Sequence, residues 1–146
     1  MATAETVDLG PPHEPKHESI KAFKEIECEL KKELVHLRHQ HNKHEPEYFA
    51  AAASLSDAEL AHFSEADLVE VRVASSAYGI HLFGKLRIPA LPDSGPAYVH
   101  FRAFSPGPGE DATLHSIHTE ESKEPGGGLK FRAIFSKDDP IEWFDT

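Results

Sequence analysis

Tyr98, His100 and Arg102 occupy alternate positions in the run Tyr98-Val-His100-Phe-Arg102. In an extended chain, side chains two residues apart point the same way, so a phenol, an imidazole and a guanidinium share one face of a strand. An imidazole exchanges protons near neutral pH, and a guanidinium fixes a carboxylate, a phosphate or a developing oxyanion. Glu120 or Glu70 could supply a partner base, and Lys130 and Arg132 stand on a later strand-like run. Two readings of this set follow. As a binding face, Tyr98, His100, Arg102, His118, Arg132, Phe83 and Lys85 would hold a small anionic or aromatic ligand. As an enzyme, His100, Arg102 and Glu120 would be catalytic in a metal-free acid/base reaction of lyase or phosphodiesterase type, with Arg132 as a second cation. A third reading has this face, or the acidic helix, hold a protein partner.

His115-Ser-Ile-His118-Thr-Glu120-Glu121 has the residue types of a metal site. Its spacing works against one, because histidines three apart on a strand point to opposite faces unless a bulge intervenes. His36, His39, His41 and His44 on the N-terminal helix form pairs three apart, but no HExxH motif is present. They read as a solvated helix end. Gly126-Gly127-Gly128 lacks the strand-before, helix-after setting of a phosphate loop and reads as a turn. No cofactor and no metal are expected. Phe83, Tyr98 and Phe104 could stack bases of a single-stranded nucleic acid, but the acidic charge and the lack of a basic tail oppose that partner.

The charge distribution gives the same face more weight. The 146-residue chain has a formal net charge of −10, yet Arg72, Lys85, Arg87, Arg102, Lys130 and Arg132 fall inside strand-like runs while most nearby acids fall in turns. A sheet face that gathers cations in an acidic protein is a place to hold an anion. No apolar run approaches the roughly 20 residues that span a bilayer, and no basic segment followed by an apolar stretch opens the chain. Cys28 is the sole cysteine, so one chain can form no internal disulfide. Its helical pattern among apolar neighbours suggests a buried, inert thiol. These features point to the cytoplasm.

The elements that must position these residues follow from hydrophobic period. Residues 1–16, rich in proline and poor in apolar side chains, read as a flexible, dispensable arm before a single domain over 17–146. Ile20, Phe23, Ile26, Leu30, Leu34 and Leu37 recur at three- and four-residue steps, the apolar stripe of a long helix that ends near Pro46. A short helix is expected over 47–53, and Ser56-Asp-Ala-Glu59 has the spacing of a capping box. After Asp67 the period becomes two. Strands are expected over 69–73, 80–88, 98–104, 113–119 and 129–135, separated by turn residues and without helical crossovers. The fold class is therefore α+β, with N-terminal helices on one face of a curled antiparallel sheet of about five strands.

Alternation assigns the faces. Val69, Val71 and Val73, then Leu82, Leu86 and Ile88, then Val99, Phe101 and Ala103, and Phe131, Ala133 and Phe135 should look toward the long helix. Arg72, His81, Phe83, Lys85, Arg87, Tyr98, His100, Arg102, Phe104, Lys130 and Arg132 should look away from it, onto a second face that reads as a solvated or interaction surface, a ligand pocket or a catalytic site. Strand four is ambiguous, since Leu114 and Ile117 have opposite parity; His115, His118 or, with a bulge, both would join the second face. Trp143 and Phe144 should pack in spite of their place at the end of the sequence. In outline this order of elements resembles cystatin-like and NTF2-like architectures. The Gln-x-Val-x-Gly loop of the cystatins is absent, and no function is carried over from the outline.

Overall fold

A computed structural model describes residues 9–44, 46–92, 94–107, 110–123 and 129–144. Helix α1, His17–His44, buries Phe23, Ile26, Leu30 and Leu34, the stripe expected from its period. A 3-10 turn, Pro46–Ala52, follows where a short helix was expected. Helix α2, Asp57–Leu60, opens with the full capping box: Ser56 Oγ accepts from the Glu59 N–H at 3.2 Å, and the Ser56 N–H donates to the Glu59 carboxylate at 2.9 Å. Arg38, buried on α1, ties this corner down by donating to Leu55 O at 2.7 Å and to the Asp57 carboxylate.

Strands β1 (Leu68–Ser76), β2 (Gly79–Arg87), β3 (Tyr98–Ser105) and β4 (Thr113–Ile117) form an antiparallel sheet in the order β1-β2-β3-β4, not closed into a barrel. The class is α+β, with four strands in this sheet rather than about five. The run expected as a fifth strand is β6 (Leu129–Arg132), which pairs instead with β5 (Glu120–Lys123) in a separate two-stranded ladder. No helix among the described residues is long and apolar enough to cross a membrane.

The core lies between α1 and one face of the sheet, where Val71, Leu82, Leu86, Val99, Phe101 and Ala103 meet Phe23, Ile26 and Leu30. Gly84 sits in the middle of this face. The Phe101 ring lies over it so closely that an added Cβ would be 2.5 Å from two ring carbons. Three expectations need correction here. Val69 is 40% exposed, because the register shifts between Leu68 and Glu70 and Leu68 takes the core position. Phe135 leaves the helix-facing side, because β6 ends at Arg132 and the chain beyond it no longer alternates; Ile134 joins the core instead. Cys28 is exposed, since it lies on the side of α1 away from the Ile26–Leu30 stripe.

Strand four is resolved by a bulge. Ser116 pairs with Arg102 and Leu114 with Ala103, so His115 is the extra residue. The insertion lets both Leu114 and Ile117 reach the core and places His118 on the second face. Part of the arm lies on the sheet. Residues 9–13 run along β1, with Gly10 N–H donating to Val73 O at 2.9 Å and His13 exchanging two backbone bonds with Val71 at 2.9 and 3.0 Å. Edge-strand backbone groups left open by the sheet are satisfied in this way. Residues 1–8 of the arm lie outside the described residues.

Candidate functional site

Register places the candidate residues in rows across the second sheet face. Lys85 pairs with Glu70 on one side and His100 on the other; Phe83 pairs with Arg72 and Arg102; His81 pairs with Ala74 and Phe104. Alternation therefore puts Phe83, Lys85, His100 and Arg102 on one side of the sheet, as expected. What differs is its surroundings. His100 is 1% exposed, Arg102 3% and Lys85 4%, because residues 136–144 cross this face and cover it.

The covering segment explains why the strands carry cations. Beyond the turn at 137–139 it has no regular structure, so many of its carbonyls have no ladder partner. The sheet supplies the donors. Lys85 Nζ donates to Lys137 O at 2.7 Å and to Asp139 O at 2.5 Å. Arg72 donates to Ile141 O at 2.6 Å and, through Nε, to Gly10 O at 2.7 Å. Arg102 donates to Phe144 O at 3.0 Å. Charge-assisted bonds of this kind are about twice as strong as neutral ones, and guanidinium and ammonium groups can serve several carbonyls at once. Ile141 and Phe144 are buried against Phe83, with Leu9 and Trp143 at the margin. The packing expected of Trp143 and Phe144 is thus present, and its partner is the cationic face itself.

Aromatic rings fill the space between the cations. His100 lies parallel to Phe135 at 4.3 Å, and His118 lies parallel to Phe144 at 4.4 Å. The Arg102 guanidinium stands 4.6 Å from the Trp143 ring centre and 5.3 Å from that of Phe83. Lys85 sits over Tyr98 at 5.8 Å, and Arg132 over Phe135 at 4.6 Å. Arg132 also bridges Asp139 at 3.0 Å and Glu120 at 3.3 Å.

Burial disfavours a proton on the histidines of this face. It pushes His100 down to about 3, with the nearby Lys85 and His118 adding to the effect. Burial also lowers His118 and His81, the latter helped by Arg102 and His115. Lys85 is lowered by burial against the pull of Glu70 and Asp139. Burial works to raise Asp139, but the Ser136 N–H and Arg132 hold its carboxyl below the usual range. Nε2 of His100 and Nδ1 of His118 have no hydrogen-bond partner among the described residues.

The candidate acid/base set is therefore brought together only in part. His100, His118, Arg132 and Glu120 are neighbours, but the Glu120 carboxylate is engaged by Arg132. Arg102 belongs to a different part of the face, with Phe83, Trp143 and His81. Tyr98 and Lys85 form their own pair. The second face that carries these residues is covered by the chain's own segment, which leaves no solvated surface or open pocket over His100, Arg102 and Lys85. Compared with known protein families, with curated proteins and with solved structures, the chain matches none.

Among the described residues, concave surfaces lie elsewhere as well. One, of about 440 Å³, runs between Glu29, Glu33 and Leu37 of α1 and residues of β4 with Thr119. Another, of about 410 Å³, opens between the first turns of α1 and the sheet. Its floor is Ala22, Val73, Ile80 and Leu82, and His13, Lys16 and Glu18 stand among its lining residues. Leu82 lies on the helix-facing side that its period predicts, and Ile80 is 44% exposed. The cleft leaves no mark in the hydrophobic period, because His13 and Lys16 reach it from the segment ahead of α1.

Proposed function

We propose that this chain is a small-molecule-binding domain whose ligand occupies the cleft between the start of α1 and the sheet. The single observation that carries the reading is the make-up of that cleft. Its volume of about 410 Å³ falls within the roughly 300–1,000 Å³ of small-ligand sites, and an apolar floor with few polar groups is their usual lining. Lys16 has no ion pair among the described residues, and with His13 it offers a cation and an imidazole beside the positive pole of a 28-residue helix. Glu18 is the one carboxylate of the lining. The ligand this favours has an aromatic or aliphatic body and one acidic head group. The ligand class is the one the cationic strands suggested, at a different place.

The test is a titration with anilinonaphthalene sulfonate, an anionic aromatic probe, followed by backbone amide shifts. Shifts at Ser19, Ala22, Val73 and Leu82 are expected, with Ala22→Phe abolishing binding by filling the cleft and Lys16→Glu weakening it. Shifts confined to the region of Arg102 and Trp143, or binding indifferent to both substitutions, would reject the reading.

A further inference from the structure

We propose that residues 136–144 form an acid-released strap, lifted from the sheet when His81 and His100 beneath it become protonated. The inference is independent of the ligand cleft, which lies on the other side of the sheet.

The strap is held by side-chain donors and by two buried apolar anchors, Ile141 and Phe144, with Trp143 at their margin, and among the described residues no strand pairs with it. Its release would leave the β1–β4 ladder and the α1 core in place, because Phe83, Ile141 and Phe144 form a cluster separate from that core. Local opening at a free energy below that of global unfolding is the ordinary behaviour of such segments.

The two imidazoles act at opposite ends of the strap. His100 is directly opposite Lys85, whose ammonium holds the carbonyls of Lys137 and Asp139. It lies flat under Phe135, just before the strap begins. His81 stands 5.9 Å from the Trp143 ring and within 3.3 Å of Arg102, which holds the far carbonyl at Phe144. A proton on either ring places a second positive charge beside the cation that clamps the strap, in a setting with little water to screen it.

The full charge environment supports this. Beta strand β1 contributes Glu70 and Arg72, β2 contributes Lys85, and β3 contributes Arg102. His115 and His118 approach from β4 and the residues just after it, Glu120 from β5, and Arg132 from β6. Asp138, Asp139 and Glu142 belong to the strap. Arg132 engages Glu120 and Asp139, and Glu120 and Glu142 act chiefly on His118. The groups acting on His81 are both basic, Arg102 and His115. For His100, Lys85, His118 and Arg132 outweigh Asp139. Each imidazole that is neutral when covered and free to protonate when released raises the open population by up to about tenfold per pH unit below its free value.

Trp143 is the only tryptophan and lies on the strap, so its emission reports the event directly. The full chain is titrated from about pH 8 to about pH 4, the range in which free imidazole changes charge, with tryptophan emission, iodide quenching and far-ultraviolet dichroism recorded together. The expected result is a red shift with rising quencher access while the dichroism is unchanged. In a His81→Phe/His100→Phe double variant, which keeps both rings without the charge, that shift moves down by about one pH unit or more. Tryptic cleavage after Lys137 in the unmodified chain, taken at each pH relative to an unstructured peptide of the same sequence, gives a second reading; this ratio rises with acid over the pH range in which trypsin is active, and it holds even if the double variant does not fold. Three outcomes would overturn the proposal: Trp143 shielded until helix and sheet signals are lost, relative cleavage after Lys137 independent of pH above global unfolding, or a midpoint that moves with Asp139→Asn and not with the histidine pair.

Discussion

Arg102→Ala should destabilise the protein substantially, contrary to what an open sheet face would imply. If Arg102 pointed into solvent, truncation would cost within about 1 kcal/mol, as most surface substitutions do. The guanidinium is instead 3% exposed, donates to Phe144 O at 3.0 Å, and stands over Trp143 at 4.6 Å. A hydrogen bond from a charged donor contributes about 2 kcal/mol, and its loss leaves a buried carbonyl without that donor. A desolvated cation–π contact adds about 1 kcal/mol. Truncation to alanine also opens space between Phe83 and Trp143, so a loss of about 3 kcal/mol is expected. Arg102→Met separates the parts, since it refills the space and removes the charge, and replacing a buried ion by an apolar isostere is often close to neutral. The assay is urea denaturation of the three proteins, followed by dichroism and by Trp143 emission. A cost under 1 kcal/mol for Arg102→Ala in both signals would refute the reasoning, because it would mean that the strap does not depend on this donor.

Stability should fall with acid in a window set by His100. Its value is about 3 in the folded chain against an ordinary 6.5, so the unfolded chain binds more protons between them. Its contribution is therefore complete above pH 6.5 and is lost as pH falls, at about 1.4 kcal/mol per unit; urea midpoints that stay flat from pH 7 to about 4.5 would contradict this. Removing residues 1–13 should cost about 2 kcal/mol, since the bonds from Gly10 and His13 to β1 and from Arg72 to Gly10 go with them; an unchanged thermal midpoint would show that the arm is dispensable after all. Gly84→Ala should cost about 2 kcal/mol by forcing the Phe101 ring off the sheet, and a variant as stable as the parent in urea would show that the ring can move aside without loss.

Much of this molecule was legible without coordinates. Periods of 3.6 and 2 placed α1 and the four sheet strands, because each element must bury one face and repeated apolar positions record which. The capping box at Ser56 was readable for the same local reason: its two bonds span only three residues. Alternation also sorted His81, Phe83, Lys85, His100 and Arg102 onto one side of the sheet, and that grouping is what the register reproduces.

Local signals failed where the backbone departs from strict period. The shift at Leu68 turned Val69 outward, and the extra residue at His115 brought His118 inward. The first has no sequence signature; the second is marked by the opposite parity of Leu114 and Ile117, but whether a bulge forms there is settled by which core contacts it recovers. The cover on the second face was still less accessible. Alternation states which way a side chain points and nothing about what it meets. Arg102 meets a carbonyl 42 residues away and Arg72 one 69 residues away, in a segment with no period of its own. A buried cation that serves backbone carbonyls and an exposed cation that awaits an anion are the same letter in a strand. Only the path of residues 136–144 decided between them, because burial of a charge depends on which distant groups arrive to replace its water.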